Sequence, residues 1–392
     1  MMKRYILLYG LLLAGVAKAQ PLVGPKLSAA LAESQTSEKH RITLVFKDQL
    51  PAYQQMLAFE SQFTPLAERA KWLMRNGMAL QQQQLTLVEK MKQSVANQHF
   101  RVLQSYWLVN MLELEANASA IAWLLQQVEI AEIERSDAFE IGFEAPIAST
   151  EAPEVANGRE PGLTVIGAPT LWQMGYTGRS RKAMLMDTGV WPEHPALQGK
   201  FLGSRQGLQG TWLGYDEPTP RDKSGNHGTH VIGTVLGLDT ATNDTIGVAF
   251  GAYFIATDPI VTDISQVKPW PELISAFQWA INPDGDTSTT NDIPDVINNS
   301  WGRANPGMDS LCGHPMIVQA FSAVEAAGIA NVFSAGNNGP GVSTGGVPAQ
   351  LVLDTLNLFA VGALDGNNAA LPIASFSSRG PTTCATAGGS FA

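Results

Sequence analysis

Residues 183–189 read AMLMDTG, an apolar run that ends in an acidic residue and a glycine. Four consecutive apolar residues are typical of a strand that is buried on both faces of a sheet. Similar runs at 295–299, 330–335 and 358–363 also end near polar or glycine-rich turns, and residues 227–236 read as a helix. This alternation predicts an α/β fold with a doubly wound, mostly parallel sheet and a site at the carboxyl ends of its strands.

Glycine content changes sharply along the chain. Five of the 37 glycines lie in the first 150 residues and 32 lie after them. A stretch rich in proline and glycine, residues 145–162, marks the change and reads as an exposed linker. The expected organisation is a signal peptide (1–19), an α+β domain (20–145), a linker (146–162) and the α/β domain (163–392).

The α+β domain shows its own order of elements. The predicted sequence is strand, helix, strand, strand, helix, strand, which is the ferredoxin-like arrangement. The four glutamines at 81–84 are expected on a solvated face of the long helical segment. The elements are a strand at 41–47, helical structure over 51–96, two strands within 101–115, a helix at 118–127 and a strand at 128–134.

The chain begins with the features of an export signal. Lys3 and Arg4 precede an apolar run at 5–16, and Ala17-Lys18-Ala19 follows as a small-x-small cleavage site. The run is shorter than the roughly 20 residues that span a bilayer, so a membrane anchor is disfavoured. Cleavage after Ala19 predicts a secreted or periplasmic protein with no membrane attachment.

Composition excludes several classes of protein. The 392 residues carry 25 Lys plus Arg and 35 Asp plus Glu, a net charge of −10, which argues against a nucleic-acid partner. Hydrophobic residues make up 45%, which argues against disorder. Two cysteines are too few for a disulfide-dense scaffold or a four-cysteine zinc site.

Asp187 directly follows the buried run at 183–186. An aspartate at the carboxyl end of a strand suits an orienting carboxylate, although it is equally typical of a turn cap. Asp-Thr-Gly is also the aspartic-protease tripeptide, but that chemistry needs two carboxylates that share a proton. The tripeptide occurs once, in a sequence with α/β patterning, so this alternative is disfavoured.

His227 opens the segment HGTH at a predicted helix start. Two histidines three residues apart are compatible with a metal site, but no further ligand lies at helical spacing. A single catalytic imidazole is the alternative, since its ordinary pKa near neutrality suits a general base. Gly228 is expected to let the backbone approach substrate or nucleophile closely, and His230 is expected to be a structural histidine.

Asn337 lies in the turn SAGNNG after the apolar run at 330–335. A side-chain amide on such a turn suits an oxyanion hole, and an ordinary Asn-Gly turn is the alternative. Nearby, GVSTG at 341–345 matches a nucleophile elbow. An α/β-hydrolase places its histidine after that serine, whereas the last histidine here is His314, so Ser343 is expected to be a loop serine.

Taken in order, these motifs resemble the subtilisin-like serine proteases (subtilases). The motifs that show this resemblance are DTG at 187–189, HGTH at 227–230, SWG at 300–302 and SAGN at 334–337. PDVINNSWG at 294–302, IGVA at 246–249 and FSSRGP at 376–381 are similar to the bacillopeptidase F branch. The N-terminal domain resembles the family's inhibitory propeptide by pattern alone.

The resemblance implies a role for each matched residue. Asp187 would orient His227, the general base and then acid, while Asn337 would donate to the oxyanion. Ser300, Trp301 and Gly302 would form the edge that pairs with an extended peptide substrate. For Trp301, core packing is the alternative.

The nucleophile has one candidate in the sequence. The family's serine opens a helix in a Gly-Thr-Ser-Met-Ala type of motif, and only GGSFA at 388–392 is faintly similar, which makes Ser390 the candidate. Only Phe391 and Ala392 follow Ser390, and two residues cannot form a helical turn. We therefore expect a peptidase domain that is truncated before its nucleophile helix, and a chain without activity. Ser375, Ser377 and Ser378 are expected to be structural.

The expected protein is therefore an exported subtilase zymogen that hydrolyses peptide bonds in protein or peptide substrates. Its other partner would be its own propeptide. The rival functions are a non-catalytic, peptide-binding pseudoprotease and a propeptide-like protease inhibitor. No cofactor is required by the motifs, and the calcium sites common in the family cannot be placed on any matched residue. Cys312 and Cys384 are able to pair in an exported protein.

Overall fold

We describe the protein from a computed structural model. The described residues are 20–33, 35, 37–139, 158–223, 225–260, 268–302, 313–351, 359–366, 368–382 and 384. The signal peptide predicted at 1–19 lies outside them, as do Cys312, Ser390 and most of the predicted linker.

The N-terminal unit contains a five-stranded sheet. Its strand order is β1-β5-β2-β4-β3, and the four strands after β1 pair antiparallel. The ferredoxin-like arrangement is therefore confirmed, with β1 added in parallel at one edge. The strands are Leu22–Val23 (β1), Lys39–Phe46 (β2), Phe100–Tyr106 (β3), Met111–Asn117 (β4) and Ile130–Arg135 (β5); the helices are Pro25–Glu33 (α1), Ala52–Ser61 (α2), Leu66–Ser94 (α3) and Ala118–Leu124 (α4).

One expectation for this unit is wrong. Gln84 does not lie on a solvated face of α3: its side chain is fully buried. Its amide donates to the carbonyl of Tyr106 (2.6 Å) and to Oδ1 of Asn110 (2.8 Å). These contacts supply the hydrogen bonds that a buried amide requires, so the polar residue is stable in the core.

The second unit contains the predicted parallel sheet. Its six strands follow the order β13-β12-β11-β6-β10-β7, and every pair is parallel. The strands of this unit are Lys182–Met186 (β6), Trp212–Leu213 (β7), Leu238–Asp239 (β8), Asp244–Thr245 (β9), Tyr253–Thr257 (β10), Val296–Asn299 (β11), Ala330–Ser334 (β12) and Phe359–Val361 (β13); β8 and β9 form a separate hairpin. The helices are Pro161–Val165 (α5), Ala168–Gln173 (α6), Gly203–Gln206 (α7), His227–Leu236 (α8), Trp270–Ile281 (α9) and Pro315–Ala326 (α10).

The two faces of β6 explain its continuous apolar sequence. Ala183 and Leu185 pack with Ile232 of α8 on one side. Met184 and Met186 belong to a different cluster, which contains helices α9 and α10, on the other side. Successive side chains of a strand point to opposite faces, so a strand covered on both sides must be apolar at every position.

The two units share one hydrophobic core. Met56, Leu73 and Trp107 of the N-terminal unit belong to the same cluster as Phe277 of α9 and Phe321 of α10. Two polar contacts also cross the boundary. Gln278 Oε1 accepts hydrogen bonds from the backbone N–H groups of Trp107 (2.7 Å) and Leu108 (3.1 Å), and Arg41 pairs with Glu272 (2.9 Å).

The second unit begins a few residues before the predicted end of the linker at residue 162. Helix α5 begins at Pro161, and Arg159 already forms a β-bridge with Thr245. Residues 140–157 lie outside the description.

Candidate active site

Asp187 and His227 lie in direct contact at the carboxyl end of β6. His227 Nδ1 lies 2.7 Å from Oδ1 of Asp187, and the aspartate is fully buried. The same oxygen accepts from the backbone N–H of Thr188 (2.7 Å). A buried carboxylate that is fixed in this way holds the proton on Nδ1 and sets the orientation of the ring.

Two glycines allow this contact. A Cβ on Gly228 would lie 2.0 Å from the carbonyl oxygen of Gly189, so the start of α8 approaches the turn after β6 more closely than any side chain permits. Gly189 has a φ of +107°, which is in the region that favours glycine. The close approach at Gly228 is therefore made to the aspartate turn, and an approach to substrate or nucleophile stays a prediction.

The electrostatic setting favours a basic imidazole. Burial alone would lower the pKa of His227, because it disfavours the charged ring. The hydrogen bond and charge of Asp187 and the charge of Asp222 outweigh this effect, so the pKa of His227 lies above its ordinary value. A raised pKa makes the ring a stronger proton acceptor.

The remaining matched residues line one cleft beside His227. The cleft has a volume of about 240 Å³ and contains Ser300, Trp301, Gly302 and Asn337. These residues follow β11 and β12, so the carboxyl edge of the sheet brings the four motifs together. Such an edge is where open α/β sheets bind their ligands.

The side chain of Trp301 packs in the hydrophobic core, which was the alternative to a role at the substrate edge. The residue is 2% exposed. Its ring makes edge-to-face contacts with Trp270 (centroids 6.1 Å apart) and Phe333 (5.3 Å). The indole therefore stabilises the core below the cleft, which leaves the backbone of residues 300–302 as the part available to a peptide.

Serines near Asn337 fix its turn. The backbone N–H of Ser378 donates to the carbonyl of Gly336 (2.9 Å), and the N–H of Asn338 donates to Ser378 Oγ (3.0 Å). Ser377 Oγ accepts from the backbone of Ala363 (3.0 Å). Both serines are buried and structural, as expected.

Other sequence-based expectations have mixed outcomes. His230 is exposed on α8, and its structural rather than catalytic role stays a prediction. Ser343 lies in a loop with φ of +56°. Cys384 is buried and disulfide-bonded, whereas its expected partner Cys312 lies outside the described residues, so the pairing stays a prediction.

Within the described part of the chain, no helix is both long and apolar enough to cross a membrane. The same residues contain no group of three or more side chains arranged to hold a metal ion.

Asp222 is a neighbour of the site that the motifs did not single out. Its carboxylate accepts hydrogen bonds from Thr188 Oγ (2.8 Å) and from the backbone N–H (2.8 Å) and hydroxyl (2.6 Å) of Thr229. Its partners lie 34 and 7 residues away in sequence, so no local pattern marks it. The sequence offers one weak signal, an acidic residue five positions before the candidate histidine His227.

The fold and site together define a recognisable class of protein. A parallel sheet flanked by helices places an aspartate, a histidine at a helix start and an asparagine turn at one edge. Comparison with protein-family models matches residues 181–390, more than half of the chain, to the subtilase family. The chain belongs to the subtilase family.

Individual relatives agree with this assignment. Bacillopeptidase F of Bacillus subtilis (strain 168) is 29% identical over 296 residues, which cover 71% of this chain and 20% of that protein. Subtilisin E of the same strain is 30% identical over 231 residues (58% and 52%), and subtilisin DY of Bacillus licheniformis is 34% identical over 221 residues (56% and 68%). The chain thus spans about a fifth of bacillopeptidase F and about half of subtilisin E.

Proposed function

We propose that the protein is a serine endopeptidase that hydrolyses peptide bonds in extended protein substrates. The observation that carries this proposal is the 2.7 Å contact between His227 and the buried Asp187 beside the cleft that contains Asn337. Peptide hydrolysis needs a base, an orienting carboxylate and a donor for the oxyanion, and these three residues have the required chemistry.

In the proposed reaction, a serine attacks the scissile carbonyl while His227 accepts its proton. His227 then donates that proton to the leaving amine, and a water molecule hydrolyses the acyl-enzyme in a second, equivalent step. Asp187 stabilises the imidazolium that forms in each step. The side-chain amide of Asn337 donates a hydrogen bond to the tetrahedral oxyanion. Removal of one such donor from a subtilisin lowers turnover by about 10²–10³-fold.

The substrate class follows from the edge of the cleft. Residues 300–302 follow β11 at the carboxyl end of the sheet, where a peptide in extended conformation can add to the backbone. Binding of this kind depends on main-chain hydrogen bonds, which are common to all sequences. We therefore expect the protein to accept unfolded segments of many proteins.

We further propose that the protein is exported and synthesised as a zymogen, with residues 20–145 as its propeptide. The shared core and the backbone hydrogen bonds to Gln278 support a tight complex between the two units. An active protein would remove this unit by cleavage between residues 137 and 162.

The nucleophile is the serine that remains to be assigned. We propose Ser390, or a serine that follows it in a longer form of the protein. A protein that binds peptides without turning them over would be the peptide-binding alternative.

A fluorophosphonate probe tests this proposal, because it reacts with serines that an adjacent base activates. The secreted protein and its His227→Gln variant are treated with the probe and digested, and the modified peptide is identified by mass spectrometry. We expect one modified serine in the wild type, at or after Ser390, and none in the variant. Folded protein that carries no modified serine overturns the enzymatic proposal and leaves peptide binding, which titration with an unstructured peptide would detect.

The inhibitor alternative has its own test. If residues 20–145 were the only folded part, limited proteolysis would destroy everything after them. A stable fragment that begins after Ala145 would contradict the inhibitor alternative.

A further inference from the structure

Asp222 connects two segments of the site that are distant in sequence. Its Oδ1 accepts from the hydroxyl of Thr188, in the turn that follows β6. Its Oδ2 accepts two hydrogen bonds from Thr229, in the first turn of α8. One carboxylate therefore binds both the turn that carries Asp187 and the helix that begins at His227.

The hydroxyl of Thr188 extends this connection. Thr188 Oγ donates to Asp222 and accepts from the backbone N–H of Gly228 (3.0 Å), the residue after His227. The hydroxyl of Thr229 accepts from the backbone N–H of Trp191 (3.0 Å) while it donates to Asp222. Each threonine thus bridges the two segments, and Asp222 is the nearer acceptor of the Thr188 hydroxyl (2.8 Å, against 3.2 Å to Asp187 Oδ1) and accepts from the Thr229 hydroxyl.

The neighbouring residue fixes the loop that carries Asp222. The ammonium group of Lys223 is almost fully buried between Asp216 (2.7 Å) and Asp258 (3.1 Å), and its backbone N–H donates to the carbonyl of Thr188 (3.1 Å). Asp258 directly follows β10, so the loop is attached to the sheet itself. The position of the Asp222 carboxylate is therefore set independently of His227.

We propose that Asp222 is a positioning residue that holds the Asp187 turn against the start of α8 and so fixes the orientation of His227. This inference rests on the proposed function. Charge-assisted hydrogen bonds are roughly twice as strong as neutral ones, which suits a group that must hold two segments in one geometry. A small displacement of reacting groups has a large effect on rate.

The role has an electrostatic signature. Among the described residues, the charged groups that raise the pKa of His227 are Asp187 and, by its charge alone, Asp222. Loss of the Asp222 charge and a looser Asp187–His227 contact would both lower that pKa, so a variant that keeps both charges is needed to separate positioning from charge. Asp286 lies in an exposed turn of the same unit, where its carboxylate accepts a hydrogen bond from the backbone N–H of Ser288 (2.8 Å), so Asp286→Asn is the control for loss of a carboxylate elsewhere.

The experiment measures the pKa of His227 by NMR in the full chain labelled with ¹³C at histidine Cε1. His227→Gln identifies the signal. We expect a lower His227 pKa in Asp222→Asn than in wild type and in Asp286→Asn. Where an active form is available, we also expect fluorophosphonate labelling to slow about tenfold in Asp222→Asn.

Thr188→Val is the second variant. It keeps both carboxylates and removes the hydroxyl that links Asp222 to Gly228, so it remains informative if Asp222→Asn fails to fold. We expect a lower His227 pKa and slower labelling, with the cooperative unfolding transition retained. An unchanged His227 pKa in folded Asp222→Asn, or an unchanged His227 pKa and labelling rate in Thr188→Val, overturns the proposal. Absence of labelling in wild type contradicts the proposed function alone, because the pKa measurement does not depend on catalysis.

Discussion

His227 Nδ1 lies 2.7 Å from Oδ1 of Asp187, and this contact makes the stability of the protein depend on pH. The pKa of His227 is raised in the folded state despite its burial. The contribution of the protonated ring to stability is therefore fully present below the unfolded pKa of about 6.5. It is lost as the pH rises through the raised folded value.

The first prediction concerns His227→Gln. The loss of unfolding free energy caused by this variant should be larger at about pH 5.5 than at about pH 8.5. Denaturant unfolding at both values measures the difference, and His230→Gln, on the exposed side of the same helix, is the control. An equal loss at both values would contradict the linkage.

The second prediction compares two glycines of α8. Gly228→Ala would place a Cβ 2.0 Å from the carbonyl of Gly189, so the two segments must separate and the Asp187–His227 contact must lengthen. Gly233→Ala meets no atom within 4 Å and should be neutral or stabilise the helix by up to about 1 kcal/mol. Thermal unfolding and the NMR signal of His227 measure both effects. Equal behaviour of the two variants would show that the close approach is unimportant.

The third prediction compares two arginines of the N-terminal sheet. Arg41 pairs with the buried Glu113 (2.7 Å), whereas the exposed Arg101 pairs with the half-buried Glu115 (2.9 Å). Arg41→Met should reduce the unfolding free energy by about 1–3 kcal/mol, because the buried Glu113 loses its charged partner, while the 44% exposure of Arg41 lets solvent screen part of the interaction. Arg101→Met should have a much smaller effect, because solvent screens an ion pair at an exposed arginine. Denaturant unfolding measures the unfolding free energy of both variants. A larger loss of unfolding free energy in Arg101→Met than in Arg41→Met would contradict this ranking.

The fourth prediction concerns the contact between the two units. Gln278→Ala leaves the buried N–H groups of Trp107 and Leu108 without their acceptor, at a cost of about 1–3 kcal/mol. A specific protease site placed within residues 140–157 allows the linker to be cut and dissociation to be followed.

We expect the cut wild-type units to remain associated and the Gln278→Ala units to separate roughly 10–100 times faster. Gln126→Ala, at an exposed position of the N-terminal unit, is the control. Equal dissociation rates for all three proteins would contradict a role for Gln278 at the interface.

Local sequence predicted those elements whose character is set by their own residues. The apolar run at 183–186 and the helix at 227–236 are confirmed because burial on two faces and a glycine-permitted helix start both leave clear patterns. Helices α9 and α10 were not predicted. Each has a proline in its first turn, which reads as a loop signal although proline is tolerated there.

Tertiary contacts account for the residues that sequence reasoning placed wrongly or missed. Gln84 is buried because carbonyl groups from β3 and the following turn satisfy its amide, and these lie more than 20 residues away. Asp222 reaches its partner Thr188 across 34 residues. Polar residues of this kind acquire their role from neighbours that only the folded chain supplies.

We propose that Asp187 acts through His227, so that the two side chains work as one unit in catalysis. A double-mutant cycle tests it directly, with the second-order rate constant for fluorophosphonate labelling measured in wild type, Asp187→Asn, His227→Gln and the double variant. We expect Asp187→Asn alone to slow labelling by about 10⁴-fold, as in related triads, and the double variant to be no slower than His227→Gln. Losses that multiply in the double variant would show that the two residues act independently and would contradict the account.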